Sequence, residues 1–173
     1  MKLIIRQENK ADYKNVYELN TLAFEEKEEA VLVDLLRKNE EFIPQLSLVA
    51  LLNDEIVGHI LFTKIKIIDV NENEHESLSL APMAVLPKYQ KKGIGGKLIN
   101  KGLSTAAKLK FKSVIVLGHE NYYPKFGFEP TTKWKITAPF DVPTNAFMGL
   151  ELVKDSLNNV SGIVKYPEEF DAV

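Results

Sequence analysis

The segment from Leu80 to Leu98 runs from an apolar stretch through a glycine-rich turn into a helical pattern. Gln90, Lys91, Lys92, Gly93, Gly95, Gly96 and Lys97 fall where a strand ends and a helix begins, so several main-chain N–H groups lack partners and point one way. Glycine lets the backbone approach an anion closely. A diphosphate placed there gains the helix dipole and charge-assisted hydrogen bonds of about 1.5–3 kcal/mol each, with Lys91 and Lys92 adding positive charge. The same glycines also suit a plain tight strand-to-helix turn, and that reading stays open. The spacing lacks the Gly-Lys-Ser/Thr ending of a P-loop and is not Gly-x-Gly-x-x-Gly after a first strand, so the usual mononucleotide and dinucleotide motifs are absent.

Composition narrows the chemistry further. The chain of 173 residues has no cysteine, which excludes disulfides, thiolate metal centres and a cysteine nucleophile. With 22 basic and 24 acidic residues, the net charge of −2 implies no bulk attraction to nucleic acid or an anionic membrane, so an anion site must be local. His59 and His75 stand in unrelated segments without ligand spacing, so no metal site is expected. The start, Met1 to Arg6, has too short an apolar run for a signal peptide, and nothing later approaches the ~18 apolar residues of a membrane span. The expectation is a cytoplasmic protein with 45% apolar residues, enough for one domain over 1–173 whose last ~20 residues form an extension.

The elements that must position the turn follow from periodicity. Leu3 to Arg6 reads as a strand, and Asn9 to Asp12 offers caps before Tyr13, Val16, Leu19 and Leu22 on one helical face. Glu26 to Arg37 reads as a second helix with an acidic first turn suited to its dipole. Gln45 to Leu52 and Ile56 to Val70, split by Asn53-Asp54, read as an antiparallel meander. Ser77 to Leu86 is the next strand, Ile94 to Ala107 an amphipathic helix, and Ser113 to Leu117 a buried strand. Strand, turn, helix and buried strand make a β-α-β unit with a parallel pair. His119 to Phe128 reads as one short helix closed by Gly127, and Trp134 to Thr137 and Ala146 to Val153 read as late strands. Beyond Asp155 a loose extension is expected, with a short strand at Gly162 to Tyr166.

Two motifs together carry a resemblance. Gln90-x-x-Gly93-x-Gly95, preceded by Ala84-Val85-Leu86-Pro87 and followed by Tyr122-Tyr123-Pro124-Lys125-Phe126-Gly127-Phe128, resembles the acyl-CoA signature of the GNAT N-acetyltransferase superfamily. Ala138 to Pro143, Ala146 to Leu152 and Gly162 to Pro167 resemble its YhbS-like subgroup, so nearly the whole chain is covered. The resemblance implies an α/β (α+β) mixed sheet, mostly antiparallel, flanked by helices, whose central parallel pair splays to admit the pantetheine arm of acetyl-CoA. It further implies that the backbone of Ala84 and Val85 bonds the pantetheine and polarises the thioester carbonyl, and that Gln90 to Lys97 hold the pyrophosphate. Lys97 and Lys101 share a helix face that touches a ribose phosphate or is simply solvated.

The same resemblance makes Tyr123 the acid that protonates the departing thiolate, since a phenol of pKa ~10 is protonated at neutral pH. Packing of the short helix is the other reading of Tyr122 and Tyr123. His119 is the candidate base, directly or through water, and Glu120 competes with it. Without cysteine, direct attack by a small-molecule or peptide amine in a ternary complex is the simpler route. The acceptor is expected near the junction after Phe24 and the loop Phe140 to Asn145, by fold analogy. Glu25, Glu26, Glu28 and Glu29 suit a cationic amine or an ordinary helix start. A non-catalytic acyl-CoA-binding module is the alternative function, and pairing into a homodimer is compatible with the sequence without being demanded by it.

Overall fold

Asn9 shows how local rules start the chain. Its side chain accepts from the Ala11 N–H at 3.0 Å while Asp12 accepts from the Asn9 N–H at 2.8 Å, a reciprocal cap over the turn Lys10–Asp12. The computed structural model describes residues 2–173. The chain divides into two compact units: Met1–Thr63, Ala81–Ala106 and Glu168–Val173 form one, and Lys64–Leu80 with Ala107–Pro167 form the other.

In the first unit β1 (Leu3–Gln7), β2 (Ser47–Leu52) and the start of β3 (Glu55–Ile68) form the expected antiparallel meander, with Ile5 opposite Ala50 and Val49 opposite His59. Asn53 and Asp54 both take positive φ, 49° and 65°, which the two-residue hairpin turn requires. Helix α1 (Tyr13–Phe24) buries Val16 and Leu19, and α2 (Glu28–Leu36) buries Leu32, Val33 and Leu36, against Val49, Ile56 and Leu61. Helix α3 (Ile94–Lys108) approaches β3 through glycines. A Cβ on Gly102 would lie 2.2 Å from the fully buried Phe62 ring, and one on Gly58 would lie 2.9 Å from Leu98.

A polar knot ties this unit together. The buried Glu8 carboxylate accepts from Arg37 Nε at 3.1 Å and from the Ser47 hydroxyl at 2.9 Å, and Arg37 also pairs with Asp34. Because Ser47 gives its one proton to Glu8, its oxygen must accept from His59 Nε2, 3.0 Å away. His59 is therefore the Nε2–H tautomer, leaving a buried Nδ1 with no partner. Burial first, then the Arg37 charge, push its pKa down to about 3.

In the second unit the start of β4 (Glu74–Val85) runs parallel to β5 (Ser113–Leu117), with Leu78 opposite Val114 and Ser79 opposite Ile115. The ladder has just these two pairs although both strands continue, and the Ser77 and Ser113 hydroxyls bond at 2.7 Å. Strand β6 (Glu129–Pro130) pairs with β8 (Phe147–Glu151), which pairs antiparallel with β5. Strand β7 (Ile136–Thr137) lies parallel to β9 (Gly162–Lys165), which pairs with the end of β3. Ile65, Ile67, Ile115, Trp134 and Phe147 fill the core.

Three sequence expectations need correction. The segment His119 to Phe128 is helical only over Tyr123–Phe126, because Pro124 fixes the first turn and Gly127, at φ 102°, ends it. Thr131–Trp134 is a 3-10 turn, and Lys135 at φ 58° separates it from the two-residue β7. The tail is not loose. Beyond β9, Glu168–Ala172 forms a further 3-10 turn, and at Gly162, with φ 149°, a Cβ would meet the Ile68 carbonyl oxygen at 2.1 Å.

Candidate active site

In the first unit the chain leaves β4, makes the turn Pro87–Tyr89 and enters α3. Lys91 and Gly93 both take positive φ, 63° and 83°, swinging the main chain round so that Gly93 opens the helix. The first α-helical bond runs from the Lys97 N–H to the Gly93 carbonyl at 3.2 Å, so the amides of Ile94, Gly95 and Gly96 have no helical acceptor. Those three donors at the positive end of a fifteen-residue helix are a candidate anion cradle. Lys91, Lys92 and Lys97 are exposed beside it, Lys92 with its ammonium 5.5 Å from the centre of the Tyr89 ring.

Gln90 also braces the turn. Its side-chain Nε2 donates to the Val85 carbonyl at 3.0 Å, stapling the turn back onto β4, so that carbonyl is already engaged. Ala84 and Val85 are buried, and Ala84 belongs to the unit's hydrophobic core.

In the second unit Tyr123 opens a short turn after β5 and is 8% exposed. Its ring meets Tyr122 edge-on at 5.1 Å and Phe128 at 5.7 Å. Gly118 makes room for it: a Cβ there would lie 2.3 Å from Tyr123 Cε2. Burial first, then Tyr122, raise the Tyr123 pKa to about 12, so the phenol keeps its proton throughout the neutral range. The role of Gly118 was missed in the sequence because a lone glycine after a strand reads only as a turn.

The His119 carbonyl accepts from the N–H groups of Tyr122 and Tyr123 at 3.1 and 3.3 Å, while its residue as a whole is exposed, as is Glu120. His119 thus helps set the backbone that carries Tyr123. Elsewhere, His75 pairs with Asp69 at 3.0 Å, and no group of three or more His, Asp or Glu side chains among the described residues is arranged to hold a metal ion. At the start of α2 the Glu29 carboxyl has its pKa raised, chiefly by burial, and its Oε2 has no partner. Glu25, Glu26 and Glu28 are exposed. No helix among the described residues is long and apolar enough to cross a membrane.

Known proteins resemble this chain over most of its length. The model of the Acetyltransferase (GNAT) family matches residues 13–128. The chain is 40% identical over 136 residues to the uncharacterized N-acetyltransferase YjhQ of Escherichia coli (strain K12), covering 78% of this chain and 75% of that one. It is 31% identical to YhbS of the same strain over 98% of this chain and 99% of that protein. The crystal structure of Escherichia coli YhbS in complex with CoA aligns with a TM-score of 0.90 at 30% identity, over 99% of this chain and 93% of that one. A GNAT family acetyltransferase from Brucella melitensis in complex with acetyl-CoA aligns with a TM-score of 0.80 at 30% identity, over 98% and 99%.

Proposed function

Because the chain belongs to the GNAT acetyltransferase family, we propose that it moves the acetyl group of acetyl-CoA to an amine by direct attack. Acetyl-CoA is the co-substrate, and the Brucella melitensis relative is in complex with it. The cradle amides of Ile94, Gly95 and Gly96 hold the pyrophosphate, with Lys91, Lys92 and Lys97 supplying charge. Gln90 acts by holding the turn on β4, and the backbone N–H groups of Ala84 and Val85 serve the pantetheine arm and the thioester carbonyl.

The amine lone pair attacks the thioester carbon, and a tetrahedral oxyanion forms. As the carbon–sulfur bond breaks, the thiolate takes the Tyr123 phenolic proton, and the new ammonium gives its proton to His119, from which it passes through water to restore the phenol. The observation that carries this assignment is the buried Tyr123, kept protonated by its surroundings and fixed in place by Gly118.

Thermal denaturation with and without acetyl-CoA is the first check: saturating ligand raises the melting temperature by mass action. Thiol release on adding a panel of amines is the second. No stabilisation at millimolar acetyl-CoA removes the co-substrate assignment, and ping-pong kinetics removes direct attack.

A further inference from the structure

A cavity of about 250 Å³ opens in the second unit around the loop that precedes β8. Its wall is mixed. Ile136, Val142 and Phe147 supply apolar surface, Thr131, Thr132, Thr137 and Thr144 bring hydroxyls, and Asp141 is the one charged lining residue. Thr131 is only 2% exposed and lines the cavity. Phe140 is half exposed but not loose: its ring stacks on Tyr166 at 6.0 Å and 20°, and the Tyr166 hydroxyl bonds to Ser79 on β4. An exposed aromatic wall set in advance is suited to stacking on a ligand at little entropic cost.

Backbone pairing ties the cavity wall to the strand end that leads into the Tyr123 turn. Phe147, on its wall, pairs with Leu117, and the next residue, Gly118, donates its N–H to the Ala146 carbonyl at 2.9 Å while supporting the Tyr123 ring. Resting on the acetyltransferase reading above, the geometry points to this cavity as the site that selects the acceptor: a small primary amine with a compact apolar or aromatic body. The volume holds roughly eight water-sized groups at about 30 Å³ each, which fits such an amine and not a folded peptide. Asp141 favours the ammonium form on entry, the apolar wall takes the body, and the threonine hydroxyls orient it.

The test uses the full chain with labelled threonine methyl groups and 2-phenylethylamine as probe, followed by NMR without acetyl-CoA. Of the seven threonines, four line the cavity, and Thr21, Thr63 and Thr105 are internal controls in the other unit. Saturable shifts confined to Thr131, Thr132, Thr137 and Thr144 are expected. Phe140→Ala should weaken binding about tenfold and Asp141→Asn about fivefold, with the acetyl-CoA thermal shift retained. Shifts at the control methyls instead, no shift at millimolar amine, or equal binding of the carboxylate analogue 3-phenylpropanoate overturns the assignment. Because these readouts need no acetyl-CoA, their failure is distinct from failure of the co-substrate reading, which the thermal shift reports.

Discussion

The anion cradle and the tyrosine site solve opposite problems with opposite materials. The cradle is main chain: three amides, two positive-φ residues and a helix end, all within Gln90 to Lys97. The tyrosine site is side chain, with Tyr123 fixed by Gly118, Tyr122 and Phe128 and with its proton affinity set by burial. A backbone cradle needs only φ and ψ values, so short sequence can specify it; a buried phenol needs a surrounding unit. Changes in the first region should therefore move affinity and changes in the second should move turnover.

The sharpest way to break that division is Tyr123→Phe. Loss of a general acid should lower kcat by about a hundredfold or more while acetyl-CoA stabilisation stays near wild type. Unchanged turnover would end the assignment. Gly118→Ala comes next: a methyl 2.3 Å from the ring forces it aside, costing roughly 1–3 kcal/mol. Urea denaturation should show the lost stability and steady-state assays a parallel fall in kcat. If both hold at wild-type values, the ring is not held as described.

Acid should separate the units as well. His59 has its folded pKa lowered to about 3, below the unfolded value near 6.5, so its contribution is intact above pH 6.5 and is lost as pH falls toward 3. In that window the unfolded chain binds the extra proton, and stability should fall by up to about 1.4 kcal/mol per pH unit. Native-state hydrogen exchange read at pH 7 and pH 5 should show protection dropping around β1, β2 and α2; a flat profile there would count against the buried neutral imidazole. The smallest effect is expected for Gly93→Ala. No atom lies within 4 Å of the added methyl, so only the strain of φ 83° remains, about 1 kcal/mol. Calorimetry should show acetyl-CoA affinity lowered about fivefold with saturated kcat retained, whereas a fall in kcat alone would blur the contrast between the two regions.

Much of this was legible in the sequence. The meander, the buried β5 strand and the amphipathic α3 each follow from a period of 2 or 3.6, and the glycine-rich turn follows from its own residues. The late segments read poorly because strands of two residues carry no periodicity. Ile136–Thr137 and Glu129–Pro130 are strands only because β9 and β8 run beside them. Gln90 shows the same limit within a motif: its type and place were evident, but its bond to the Val85 carbonyl depends on how the turn folds back.

The sequence by itself determined that a glycine-rich turn leads into a helix at Gln90 to Lys97 and that the protein supplies no cysteine thiol, because those depend on residue type and local backbone freedom. Tertiary structure decided that Gly118 makes space for Tyr123, that His59 is buried neutral and that Phe140 is braced by Tyr166. Each of these rests on contacts between groups distant in the chain, and excluded volume and desolvation act only once the chain has folded to bring them together.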